Sequence, residues 1–329
     1  MIAKNPVRIM AGALLISLLL MGMKLMAWAI TGSNAILSDA LESVINIVAG
    51  SFALYSVWYS SQPKDIDHPY GHGKIEYLSA GFEGALVFFA GAFMMYLGVK
   101  ALFHPEPLRE TLLGAVLSLM SGAGNYFLGR FVIQAGIKMN SPVMIADGKH
   151  LQTDTWSSIG LILGLVLIHF SGFLWIDGVL AIVFGALIFL QGFRIVKDSV
   201  RNLLDQADES KLLELVNILN QRRKPQWIDI HNLRVLKFGP RLHVDAHVTL
   251  PYYLNLEESH ALVVELENAV KESTGNDVEL FIHSDPCLPP ESCSVCLLAQ
   301  CPVRKHPQTR NLPWSLETLL PDHKHHLHH

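Results

Sequence analysis

Six apolar runs, each long enough to cross a bilayer, fill the chain before Lys197 and decide what it can become. They are Val7–Ile30, Ala35–Tyr59, Tyr77–Phe103, Thr111–Phe131, Pro142–Phe170 and Phe173–Phe193. A spanning helix needs about 20 apolar residues, because each residue rises about 1.5 Å and the hydrocarbon layer is about 30 Å thick. Of 329 residues, 50% are hydrophobic and only 16% charged, which suits a polytopic membrane protein better than a soluble one. A net charge of -4 gives no basis for nucleic-acid binding. The start, MIAKNPVR, leads into the first run without a small-residue cleavage site, so it reads as a span rather than a removed signal. Lys4, Arg8, Lys64, Lys74, Arg130, Lys138, Arg194, Lys197 and Arg201 fall on one side of the expected helices, and Lys100 and Arg109 on the other. The positive-inside rule then puts both termini in the cytoplasm.

After Lys197, charge and alternation return. Helical periodicity over Ser210–Arg222 and Leu256–Ser273, with strand-like runs at Leu233–Phe238, Leu242–Leu250 and Val278–Ile282, suggests a ferredoxin-like α/β sandwich. The expected division is a six-helix transport domain over 1–200, a cytoplasmic metal-binding and dimerisation domain over 201–287, and a Cys- and His-rich extension over 288–329.

Ionisable residues at membrane depth are costly and face a water-filled path or a partner. The fifth run opens IADGKHLQTDTWSS, which puts His150 and Asp154 four residues apart on one helical face, with Cβ atoms about 6 Å apart. In the second run, SNAILSDALESVIN does the same for Glu42 and Asn46. The four side chains offer two carboxylates, an imidazole and an amide, which nearly cancel a dication in a low-dielectric setting. Metal binding there must expel protons from carboxyl and imidazole groups, so proton-for-metal exchange follows from the ligands themselves. Asp39 and Asp147, each three residues before a member of the quartet, suit supporting or proton-path roles.

The loop KDIDHPYGHGKIEYLSA, together with DALESVIN, ADGKHLQTD and the HSDPC near the end of the soluble domain, resembles the cation diffusion facilitator family of divalent-metal/proton antiporters. The likeness runs from about residue 5 to residue 287, in motif order and spacing. It implies a homodimer of six-helix bundles in a bacterial cytoplasmic membrane, with metallochaperone-like cytoplasmic domains. Its transport site would be Glu42, Asn46, His150 and Asp154. A second metal site would use Asp65, His68 and His72 of the loop. A two-metal cluster at the dimer interface would use His231, His247, His260, His283 and Asp285, so that cytoplasmic metal biases the inward/outward equilibrium. Lys74 and Asp205 match a charged interlock near the dimer contact. The chain departs from the family zinc transporters at Glu42, where they tend to have His or Asp, and at Asn46, where they tend to have Asp.

Beyond that likeness, Cys287, Cys293, Cys296 and Cys301 lie in one short stretch. Disulfides are disfavoured in the cytoplasm, so four thiols at such spacing fit a soft-metal site. The final DHKHHLHH, with five histidines, reads either as a chelating tail or as a disordered end. The function expected is export of Zn²⁺, with Fe²⁺, Co²⁺, Ni²⁺ and Mn²⁺ as other candidates, against protons by alternating access. A membrane-anchored metal sensor or store and a monovalent cation/proton antiporter are the alternatives. A metal-dependent membrane hydrolase would want a motif such as H-E-x-x-H, which the chain lacks, so an enzyme is not expected.

Overall fold

A computed structural model of the protein describes residues 5–31, 34–103, 112–171, 175–274 and 278–325. It divides into two units, residues 1–204 and 205–329, each described by itself below. Among the described residues the first unit has six long helices: α1 (Pro6–Thr31), α2 (Asn34–Ser60), α3 (Ile75–Phe103), α4 (Leu112–Met139), α5 (Pro142–Ser171) and α6 (Trp175–Leu203). All have 26 to 30 residues, enough to cross a bilayer. Among the described residues, Pro6–Met26 and Ile75–Phe103 also have the hydropathy of a membrane span. The fifth helix carries Asp147, Lys149 and Asp154 within one stretch, which lowers its hydropathy. Large apolar side chains such as Leu19, Phe89, Phe93, Phe127 and Leu187 point outward, as a lipid-facing surface requires.

Two packing arrangements set the helices. Ile9, Met10, Ala53, Val57, Val132 and Met144 form a buried cluster that binds α1, α2, α4 and α5 together. Elsewhere α3 and α6 meet backbone to backbone along a ladder of glycines at seven-residue spacing: Gly84, Gly91 and Gly98 on one helix, Gly192, Gly185 and Gly178 on the other. A Cβ added at Gly91 would stand 2.4 Å from the Phe189 backbone nitrogen, and one at Gly192 2.3 Å from that of Phe88. In lipid, where apolar surface drives little association, such close backbone approach supplies the attraction.

The joint between α4 and α5 places the fifth helix. Asn140 adopts φ 52°, the Ser141 N–H donates to the Gly136 carbonyl at 2.9 Å, and the Asn140 N–H to that of Ile137 at 3.3 Å. This left-handed cap ends α4, and Pro142, with its fixed φ and no N–H to lose, starts α5. Polar ties then hold α5 against its neighbours. The Thr155 hydroxyl donates to the Gly122 carbonyl of α4 at 3.0 Å, and the Gln191 amide of α6 donates to the Lys149 carbonyl at 3.0 Å.

The second unit runs α7 (Glu209–Gln221), β1 (Asp229–Phe238), β2 (Arg241–Leu250), α8 (Leu256–Thr274), β3 (Val278–Pro286) and a short α9 (Leu316–Leu319). The sheet order is β1-β2-β3, with β1 antiparallel and β3 parallel to β2. The parallel pair follows from the crossover through α8. The order helix, strand, strand, helix, strand read from the sequence is the order found, with three strands in the sheet among the described residues. Its core includes Ile230, Val244, Val248 and Leu266, and also Val295, Leu312, Trp314 and Leu319 of the C-terminal extension. The extension is therefore built into the domain up to Leu319 rather than trailing from it.

Candidate metal sites

A pocket among α1, α2, α4 and α5 holds Asn46, His150 and Asp154 together. The Asn46 amide nitrogen donates to Asp154 Oδ2 at 2.5 Å, and its Oδ1 lies 2.7 Å from His150 Nε2. A carboxylate accepts only, so it fixes which way the amide turns. The amide oxygen then faces the imidazole, and His150 must donate from Nε2. In this arrangement the ring carries its proton on the nitrogen that a metal ion would need. The backbone of Glu42 lies in α2 one turn before Asn46; the side chains of Glu42 and Asp39 lie outside the described residues. Asp147 does line the pocket. So do Lys24 from α1, Ser43 from α2 and Asn125 from α4, none of which the sequence placed in the site. Lys24, Asp147, His150 and Asp154 are all buried.

The loop between α2 and α3 brings Asp65, His68 and His72 together, with one donor atom from each within 4.8 Å of the others. Asp65 Oδ1 lies 3.1 Å from His68 Nδ1, and Oδ2 lies 3.2 Å from His72 Nε2. The His68 backbone N–H also donates to Asp65 at 2.6 Å, and that bond is the first cause holding this exposed carboxyl below its usual range. Gly71, at φ 91°, makes the turn that returns His72 to the aspartate. Tyr59 packs edge-on against the His72 ring at 4.4 Å.

In the second unit, strand register assembles the third group. His231 pairs with His247 and His247 with His283, so one rung crosses all three strands as histidine. The neighbouring rung is Asp229, Thr249 and Asp285, two residues along and therefore on the same face. His231, His247 and Asp285 each offer a donor atom within 4.8 Å of the others. His283 stands beside them, its ring 4.7 Å from that of His247. His260 is exposed on α8 and is not part of that close group among the described residues. Burial pushes the His231 pKa down, against the pull of Asp229 and Asp285, which favours a neutral ring with a lone pair to give. Asn232, at φ 53°, bulges β1 beside this group and hydrogen-bonds His247 at 3.3 Å.

The tail of the chain closes over the same face. Lys324 Nζ lies 3.2 Å from Asp285 Oδ1, and His325 Nδ1 lies 2.7 Å from Asp229 Oδ1. The Asn232 N–H donates to the Pro321 carbonyl at 2.8 Å, holding the strap in place. Lys74 is the turn residue just before α3, and Asp205, at φ 56°, begins the second unit; each belongs to a different unit. All four cysteines are free thiols and line one pocket of the second unit.

Sequence comparison accounts for this combination. The family profile of the cation efflux transmembrane domain matches residues 10–204, and that of the cation efflux protein cytoplasmic domain matches residues 207–287. An uncharacterized transporter of Synechocystis sp. is 33% identical over 273 residues, 83% of this chain and 87% of the relative. The cation-efflux pump FieF of Citrobacter koseri is 31% identical over 280 residues, 84% of this chain and 91% of the pump. FieF of Shewanella oneidensis is 28% identical over 270 residues, 82% and 90% respectively. The chain therefore belongs to the cation efflux family, the cation diffusion facilitators, which are membrane transporters of metal cations with a cytoplasmic domain. Residues 288–325 lie beyond both profile matches.

Proposed function

We propose that this protein exports a divalent transition metal from the cytoplasm, Zn²⁺ before other ions, in exchange for protons by alternating access. It works as a homodimer in the cytoplasmic membrane, with six spans and both termini in the cytoplasm. The observation that carries this reading is the hydrogen-bonded chain Asp154–Asn46–His150 in a buried pocket between α2 and α5. A metal ion can bind there only if the His150 Nε2 proton leaves and the Asn46 oxygen turns from proton acceptor to metal ligand. Both ring and amide exchange one partner for another, so proton loss and metal entry are one event. When the pocket opens to the other side, reprotonation of the ring restores the same chain and releases the ion. Glu42 would complete the ligand set. Asp147 gives the leaving proton a neighbouring acceptor.

The cytoplasmic group of His231, His247, His283 and Asp285, joined by His260, would bind metal as a sensor of cytoplasmic load. The Asp65–His68–His72 loop would hold a further ion at the membrane edge. Lys74 and Asp205 would pair near the dimer contact. Because Lys324 already sits on Asp285, metal at the cytoplasmic group has to displace an ammonium. Lys324→Ala should tighten Zn²⁺ binding there roughly twofold to fivefold, the worth of one partly exposed ion pair. Calorimetric titration of the full chain checks this.

A second reading has one observation behind it: Asn46 is a neutral, weak ligand, which would suit a monovalent cation/proton antiporter. Proteoliposomes with an acidic lumen separate the two. On the divalent reading, outward proton flow drives Zn²⁺ uptake, Fe²⁺, Co²⁺, Ni²⁺ and Mn²⁺ follow more slowly, and Na⁺ does not move. Uptake of Na⁺, or Zn²⁺ uptake indifferent to the proton gradient, overturns it. Restoring a carboxylate with Asn46→Asp should tighten divalent binding about tenfold, or about 1.4 kcal/mol, and raise the number of protons displaced.

A further inference from the structure

The four cysteines are used by none of the chemistry above, and the family profiles end where they begin. We propose that Cys287, Cys293, Cys296 and Cys301 bind one Zn²⁺ as a tetrahedral thiolate site, separate from the transported ion, which staples the C-terminal extension to the cytoplasmic domain.

The placement of the thiols carries this. Cys287 stands where β3 ends, and its N–H still donates to the Leu250 carbonyl at 2.8 Å, so one ligand is fixed on the sheet. Cys293 lies within a single 3-10 turn, Glu291–Ser294, and Cys296 follows two residues after that turn. A C-x-x-C on a tight turn is the knuckle that presents two sulfurs to one ion. Cys301 closes the pocket from the next bend. Cys287, Cys293 and Cys296 are buried, although thiols in a loose tail would be solvated. None is in a disulfide.

The surroundings are built for a negatively charged centre. Four thiolates around a dication leave a net charge of about −2, which must be met by donors just outside the sulfurs. Arg304 is wrapped into the knuckle: its guanidinium donates to the carbonyls of Cys293 at 3.3 Å, Cys296 at 3.2 Å and Leu298 at 2.7 Å. Burial, and then the neighbouring Cys301, pushes the Tyr253 hydroxyl above its usual range. No three of the sulfurs come within 4.8 Å of one another, as the donors of the loop and sheet groups do. A dication shared by the four sulfurs would have to ionise them and draw them together.

A staple also has something to hold. Downstream of Cys301, Leu312, Trp314 and Leu319 join the domain core, and Lys324 and His325 reach the carboxylates of Asp285 and Asp229. Between Val303 and Asn311 no residue is buried, and the Thr309 and Arg310 N–H groups tie the segment back to the Ser294 carbonyl of the knuckle, each at 3.0 Å. The thiolate site is the fixed point from which that segment returns.

The test uses the full chain in detergent, reduced, stripped with a chelator and reloaded with Co²⁺ or Zn²⁺. Co²⁺ should produce thiolate-to-metal charge-transfer absorption in the wild type and equally in Asp154→Ala and His231→Ala. The double variant Cys293→Ser/Cys296→Ser should lose that absorption and retain one Zn²⁺ fewer per chain. Should that variant not fold, the wild type still decides: Zn²⁺ should slow reaction of the four thiols with a thiol reagent at least tenfold. Absence of the charge-transfer band, or thiols that react at the same rate with and without Zn²⁺, overturns the proposal. Neither result bears on transport.

Discussion

Asp154→Ala should abolish metal transport while leaving a folded protein that still binds metal in its cytoplasmic domain. The reason lies in what Asp154 does for its neighbours. It accepts from the Asn46 amide at 2.5 Å and so turns the amide oxygen toward His150. Alanine removes a carboxylate ligand, and also frees the amide to flip and present a donor where the metal needs an oxygen. Loss of one charged ligand and misorientation of a second should weaken metal binding in this pocket by at least about a hundredfold, or about 2.7 kcal/mol. Asp154→Asn keeps the shape and an acceptor oxygen but not the charge, and should be nearly as inactive. Radiometal uptake into proteoliposomes reads the loss, and Zn²⁺ titration reads the cytoplasmic sites. Substantial transport by Asp154→Ala would place the path elsewhere.

Gly91→Val should prevent α3 and α6 from packing. A Cβ at this position would stand 2.4 Å from the Phe189 nitrogen and 2.8 Å from the Gly185 carbonyl oxygen. Both are backbone atoms of a helix and cannot swing aside, so the helices must separate by more than an ångström. That loosens the ladder above and below, where Gly84–Gly192 and Gly98–Gly178 make the same approach. Overpacking in a close-packed interior costs about 1–3 kcal/mol or more, and here it falls on a contact that lipid does not otherwise drive. The expected result is a fall of at least about 10 °C in the thermal midpoint in detergent, or no monodisperse protein. Gly12→Val is the control, because a Cβ there meets nothing within 4 Å. Equal behaviour of the two variants would mean that the glycine ladder does not hold the bundle.

Much of this was legible in the chain. Hydropathy located all six long helices, because a lipid-facing surface must be apolar all along its length. It misjudged where two of them end. The fourth continues past Phe131 to Met139 and the sixth past Phe193 to Leu203, through Lys138, Arg194 and Lys197. A helix does not stop where the apolar run does; α4 stops at Asn140, the residue that caps it. The pairing of Asn46 with His150 and Asp154 was readable because four-residue spacing on two helices marks a shared face. Lys24 and Asn125 fell outside it, being single polar residues on helices that otherwise carry no pattern. The first strand begins at Asp229 rather than Leu233, since the bulge at Asn232 interrupts the alternation that marks a strand. The glycine ladder was hidden because its halves lie on helices far apart in sequence. The anchoring of the extension could not be read, because Leu312, Trp314 and Leu319 are isolated apolar residues in a stretch rich in turns, and only the fold shows that they reach the core.

The claim on which the rest depends is that the pocket between α2 and α5 gives up protons as it takes in metal. The direct measurement is the pH inside sealed proteoliposomes, read with a trapped dye, when Zn²⁺ is added outside. For the wild type the account predicts that the lumen becomes alkaline as Zn²⁺ enters, with the same time course, and that Asp154→Ala gives no change. Zn²⁺ entry with no change in luminal pH, or alkalinisation that persists in Asp154→Ala, would contradict it.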